Sequence, residues 1–275
     1  MICAKMHRAQ RTRNSRFVTA IAALSLAALA HPQSGSAPAQ VPPVKAFIYD
    51  VVSVKPHSPG DRTMAFGPTP VGYHSVNVML PLLIQYSYNL TLPDQITGLP
   101  GWTSDVHFDV EAKMDDATLA EFRKLPPAQQ SEQRRLMLQA VLADRFKLKV
   151  HRETKEQLIY QLIVAKGGCR FKESPQGEPQ RMMTGNGKII LQAMPVGNVA
   201  DSLSGETSRI VVDKTGLTGN YDLTLKWTPE AQRTADDSGP SVFTALEEQL
   251  GLKLIPAKGP VDILIIDHVE RPTEN

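Results

Sequence analysis

Two aspartates offer this chain its best prospect of acid–base chemistry. Asp109 stands in Phe108-Asp-Val110 and Asp222 in Tyr221-Asp-Leu223, and each lies downstream of a Gly-Leu-x-Gly turn, at Gly98-Leu-Pro-Gly101 and Gly216-Leu-Thr-Gly219. Two carboxylates no more than about 10 Å apart can serve as acid and base, or as acid and nucleophile, across one glycosidic bond. The structural alternative is that each accepts hydrogen bonds from the amides of its preceding turn. Four aromatic residues, Tyr86, Tyr88, Trp102 and Trp227, are the candidates for a surface on which a sugar or peptide stacks, unless they serve as core or sheet-face residues.

Other chemistries lack their residues. The histidines beyond the first 30 residues are His31, His57, His74, His107, His151 and His268, with no His-Glu-x-x-His and no close His/Cys pair, so no metal site is expected. His74 and His107 fall in separate predicted strands, where a surface role suits them. No Gly-x-Ser-x-Gly elbow and no phosphate- or dinucleotide-binding glycine pattern follows a strand, so no cofactor is expected. The Gly-Leu-x-Gly glycines read as turn formers. Cys3 and Cys169 are the two cysteines, and with Cys3 in the leader, Cys169 is the remainder's one thiol.

The elements that would carry these residues can be read from periodicity. Ala46–Lys55 is β-branched and aromatic and stops at Pro56, and 56–71 reads as a Pro/Gly-rich loop. Strands are predicted over 72–78 and 106–113. Leu80, Leu83, Ile84 and Ser87 have helical spacing, with Pro81 tolerable in the first turn. Helices follow around 116–124 and 129–145, then strands over 146–152 and 158–164. In the first of these, Phe146, Leu148 and Val150 point inward while Arg145, Lys147, Lys149 and Arg152 form a solvated face. A second series runs strand 188–193, helix 196–204, strands 209–213 and 221–227, helix 240–250 closed by Gly251, and strands 252–255 and 261–268.

The two series share order, spacing and the Gly-Leu-x-Gly…(Phe/Tyr)-Asp element, and Leu138-x3-Leu142-x3-Phe146-Lys-Leu-Lys149 matches the pattern ending Leu250-Gly-Leu-Lys-Leu254. The expectation is an α+β fold of two related β-α-β-β-α-β-β halves, 46–165 and 188–275, joined by a polar linker over 166–187. Helices covering one face of an antiparallel or mixed sheet would bury what neither a helix nor a small hairpin buries alone.

Charge and the N-terminus bound the setting. Five of the 30 basic residues and none of the 28 acidic ones lie in the first 30, so the overall +2 becomes about −3 for the remainder. A mildly acidic body argues against nucleic-acid binding. The basic stretch to Arg16 and the apolar run Phe17–Ala30 have the form of a secretory leader, with Ala28-Leu-Ala30 and Ala37-Pro-Ala39 as cleavage sites, followed by a Pro/Ser/Ala linker over 31–45. An exported protein, periplasmic or extracellular, is expected, touching membrane only through an uncleaved leader.

Five ordered blocks carry a resemblance. Val52-Ser-Val-Lys-Pro56, Gly98-Leu-Pro-Gly-Trp102 with Phe108–Lys113, Leu138–Glu153, Val212–Gly219 and Ile266–Pro272 together resemble a large paralogous family of exported proteins of unknown function expanded in soil acidobacteria. The resemblance covers 46–275. It departs at the first strand, where Tyr49-Asp50 replaces a short Glu-Val-Ala run. It brings no catalytic residues, since no activity is established for the family. Related domains attached to membrane metallopeptidases of the antibiotic-sensor type imply an extracytoplasmic binding or sensing role, with an envelope protein, peptide or polysaccharide as partner. The helix–hairpin units are also similar to the short N-terminal domains of secretins and outer-membrane receptors, a likeness of fold alone. The rival expectation is a hydrolase of envelope or extracellular polymers acting through Asp109 or Asp222.

Overall fold

The computed structural model describes residues 47–58, 60–233 and 239–272, and the predicted leader and linker over 1–45 lie outside the described residues. A first antiparallel sheet is built from β1 (Val51–Pro56), β2 (Ala65–Thr69), β3 (Gly72–Met79) and β5 (His107–Lys113), in the order β1-β5-β3-β2. A second is built from β7 (Lys172–Glu173), β8 (Arg181–Gly185), β9 (Lys188–Pro195) and β11 (Asn220–Lys226), in the order β7-β11-β9-β8, again antiparallel throughout. The two sheets thus have the same connectivity. In each, the third strand runs into a helix: α1 (Leu80–Ser87) after β3, and α5 (Gly197–Thr207) after β9.

The third sheet is mixed and joins the halves. It comprises β4 (Ile96–Thr97), β6 (Lys149–Val164), β10 (Val211–Asp213) and β12 (Leu252–His268), in the order β10-β6-β12-β4. β6 and β12 pair antiparallel along nearly their whole length. Each was expected as two short strands; each is one long strand. The breaks suggested by Pro256 and Gly259-Pro260 do not materialise, because β12 is paired on its other side only at Leu264 and Ile265. Proline is tolerated where the neighbouring edge is open.

The long strands are exchanged between halves. β6 starts beneath the first core, but its end pairs parallel with β10 and sends Leu162 into the second core. β12 starts in the second core, but its end pairs with β4 and sends Leu264 and Ile266 into the first. The registers correspond: β10 meets β6 at Tyr160 and β4 meets β12 at Leu264, 104 positions later. The same offset relates Phe146 to Leu250 and Leu148 to Leu252, all buried. It also relates Lys147 (φ 51°) to Gly251 (φ 65°), which close the preceding helices in the left-handed region. A smaller cluster of Ile159, Val261 and Ile263 fills the ribbon between the cores.

Among the described residues four further α-helices are α2 (Trp102–Asp105), α3 (Asp116–Phe122), α4 (Pro127–Arg145) and α6 (Val242–Ala245). Apolar residues at helical spacing turn one face of each longer helix inward: Leu80, Leu83 and Ile84 on α1, Met137, Leu138, Val141 and Leu142 on α4, and Val199, Ala200 and Leu203 on α5. Proline opens α1 and α4, where the missing N–H costs nothing. Ser241 caps α6 through Thr244 N, and the chain continues into a π turn, Leu246–Leu250, ended by Gly251. Other departures from the sequence reading are local. β2 occupies part of the expected 56–71 loop, β7 and β8 fall within 166–187, and α2 separates Gly101 from β5 where Gly219 leads directly into β11. Among the described residues no cysteine is free: Cys169 is disulfide-bonded, not the lone thiol expected from sequence.

Candidate functional site

Each aspartate holds a bulge. In β3 the register slips between Ser75 and Val78, leaving Asn77 with a φ of 57°. Its amide donates to Asp109 Oδ1 from the neighbouring strand at 2.9 Å. In β9 the slip lies opposite Tyr221 and Leu223, and Ala193 takes a φ of 52°. Its amide donates to Asp222 Oδ1 at 2.8 Å. The accepting role foreseen from sequence is present, but the donor is a bulge amide of the paired strand rather than the preceding turn. A bulge frees one N–H from the ladder, and a carboxylate satisfies it.

The second partners differ. The Ser174 hydroxyl donates to Asp222 at 2.6 Å and, ahead of the Ala193 amide, holds its carboxyl below the ordinary value. His57 Nδ1 lies 2.8 Å from Asp109 Oδ1, and its Nε2 lies 2.9 Å from the Asp61 carbonyl oxygen. Both neighbours are acceptors, so the imidazole must donate from both nitrogens and is cationic in this arrangement. Hydrogen bonding to Asp61, then to Asp109, accordingly raises the His57 pKa above 6.5. With both nitrogens engaged, His57 has no lone pair for proton abstraction. Asp109 and Asp222 lie in different sheets and line different recesses. A recess of about 340 Å³ beside His57 is lined by Asp61, Asn77, Asp105 and His107.

The four aromatics also separate. Tyr86, Tyr88 and Trp102 pack against the first core. Tyr86 lies among Phe66 and Tyr73, with ring centres at 6.2 and 5.7 Å, and burial raises the pKa of Tyr86 and Tyr88. Trp102 lies under the Arg271 guanidinium, 5.5 Å from its ring centre. Trp227 belongs to the second half, where its indole N–H donates to Glu206 at 2.7 Å. These four therefore form no common stacking surface.

Trp227 instead joins residues that sequence reasoning did not select. A cleft of about 300 Å³ is lined by Trp227, Tyr160, Phe243, Arg209, Glu206 and Ser241, among others. Tyr160 and Phe243 meet edge to face with ring centres 5.6 Å apart, and Arg209 Cζ lies 5.3 Å from the Tyr160 ring centre. Phe243 is 41% exposed, high for a large apolar ring. The lining comes from β6, the end of α5, the end of β11 and the start of α6, so no local motif marks it; the one signal is a Phe just inside a serine-capped helix. His74 and His107 lie in adjacent strands but are not register partners, His74 facing Glu111 and His107 facing Met79. Among the described residues no group of His, Cys, Asp or Glu is arranged to hold a metal, and no helix is long and apolar enough to cross a membrane.

Fold and clefts together define a three-sheet α+β protein with a small aromatic cleft. Residues 81–269 match the family described as "Protein of unknown function (DUF3738)", and the chain belongs to that family. No curated protein and no solved structure matches it.

Proposed function

We propose that the protein is an exported, extracytoplasmic binding or sensing module. The observation that carries this reading is the cleft around Trp227, where three aromatic rings and one guanidinium converge on a concave surface. Such a surface stacks flat or apolar ligand groups at low entropic cost. The leader-like N-terminus supports export, and the resemblance to the exported acidobacterial family and its metallopeptidase-attached relatives supports a role outside the cytoplasm. The matched topology, registers and bulge-capping aspartates support an origin by internal duplication. Immobilised protein lacking the leader is expected to retain a specific component of a solubilised cell-envelope fraction, and Trp227→Ala to lose it. Equal retention by both proteins refutes the reading.

A hydrolase of envelope polymers is the second reading, favoured by the His57–Asp109 pair beside its recess. It requires turnover of a polysaccharide or peptide that Asp109→Asn abolishes. Turnover unaffected by Asp109→Asn and Asp222→Asn rules these residues out.

A further inference from the structure

We infer that the Trp227 cleft takes a carboxylate carried on a flat apolar group, with Arg209 as the anchor of the carboxylate. The inference rests on the binding reading above and gives it a ligand class. Three observations carry it.

The first is the state of the cations and anions in the cleft. Glu206 is engaged by the Trp227 indole N–H, and Glu230 lies 3.7 Å from Arg233. Arg209 Cζ lies over the Tyr160 ring, 5.3 Å from its centre, and Arg209 has no carboxylate partner among the described residues. A guanidinium without a carboxylate partner offers a planar N–H fork that can receive a carboxylate through two parallel hydrogen bonds. Arg209 lies over the face of Tyr160, so a cationic group placed there would meet a like charge; Glu206 and Glu230 also line the cleft, which leaves Arg209 as the place for an anionic end.

The second is exposure. Phe243 remains 41% exposed at the lip, and Trp227 and Tyr160 are half-buried. Apolar rings beside an unpaired cation suit a ligand with one apolar face and one anionic end.

The third is the contrast with the first half. By register, Tyr160 corresponds to Leu264, which is fully buried. Counting five residues on from each bulge-capping aspartate, Trp227 corresponds to Met114, which is 6% exposed. At these two positions the first core has buried Leu264 and Met114, where the cleft has the half-buried rings of Tyr160 and Trp227. The cleft is therefore a local departure from the shared plan, not a by-product of it.

The test uses the protein lacking its leader and carrying Trp102→Phe, so that Trp227 is the sole tryptophan. Its emission is titrated with 3-phenylpropionate and with glycyl-phenylalanine, a free acid and a peptide C-terminus, and with the amide of each, up to about 10 mM. At least one acid is expected to change the emission saturably, with its amide about tenfold weaker or more. Arg209→Gln is expected to weaken the acid by a similar factor and leave the amide unchanged. Which acid binds tells a free metabolite from a peptide terminus. Amides that bind as well as acids, or acids indifferent to Arg209→Gln, overturn the inference. So does the absence of any saturable response. If Trp227→Ala still abolishes envelope retention in those cases, the binding reading stands and only the ligand class fails.

Discussion

Strand exchange makes the two halves depend on each other, and Leu264→Ala tests how strongly. Leu264 lies at the end of the last strand, in the second half of the sequence, yet its side chain is fully buried in the first core. Truncating a fully buried leucine costs about 2–5 kcal/mol, the transfer of the lost methyl groups plus the cavity left behind. With a urea dependence of about 3 kcal/mol per molar for a domain of this size, the midpoint should fall by roughly 1 M. The chain supplies a reporter on each side, since Trp102 packs on the first core and Trp227 on the second. Trp102→Phe and Trp227→Phe backgrounds therefore follow the halves separately by fluorescence. Because β6 and β12 pair along almost their whole length and each ends in the other half, both reporters should give one midpoint, and Leu264→Ala should lower both equally. Leu162→Ala, the reciprocal residue in the second core, should do the same. A Leu264→Ala transition that moves at Trp102 while Trp227 keeps its midpoint would refute the coupling.

Three further outcomes follow from local geometry. Gly251 and Lys147 close corresponding helices at positive φ, and a Cβ on Gly251 would run into the Gly168 carbonyl. Gly251→Ala should therefore cost about 1–3 kcal/mol while Lys147→Gly gains up to about 1 kcal/mol, opposite signs read by thermal unfolding. His57 has a pKa raised above its ordinary 6.5 by Asp61 and Asp109, so its contribution to stability is complete below pH 6.5 and is lost as pH rises through the higher folded value. The thermal midpoint should decline over that window, and His57→Gln should flatten that part of the profile; an unchanged profile would show that the imidazolium contributes nothing. Asp222→Ala should speed hydrogen exchange at the Ala193 amide about tenfold or more, whereas Asp222→Asn, which keeps an acceptor oxygen, should change it much less.

The elements were largely legible in the sequence because periodicity is a local property. The alternation of Phe108, Val110 and Ala112, the helical spacing of Leu80, Leu83 and Ile84, and Gly251 after an apolar helix each place an element within a few residues of its observed bounds. What the sequence did not reveal is which strand lies beside which. Thr154-Lys155-Glu156 and Gly259-Pro260 look like breaks when read singly. They are strand because they pair with each other: Glu156 faces Pro260 and Thr154 faces Asp262. The weak β-formers of each segment are held by the partner segment about 100 residues away.

The aspartates show the same limit in the site. Asp109 and Asp222 were singled out because each follows a Gly-Leu-x-Gly turn, and the structure gives them matching roles, but as caps on bulges in β3 and β9. The need for those caps is visible only after the strands pair. Asn77 tolerates a left-handed backbone, being a residue whose side chain suits it, whereas Ala193 adopts the same conformation without that help. Asp222 correspondingly has the Ser174 hydroxyl as an additional donor, and Asp109 has a histidine. At both aspartates the two donors meet Oδ1, which fixes the carboxylate in place as a cap while Oδ2 keeps its lone pairs. The Trp227 cleft gathers three aromatic rings and a guanidinium without a carboxylate partner among the described residues in one recess, whereas the two aspartates stand apart in separate sheets, and that difference favours the proposed binding role.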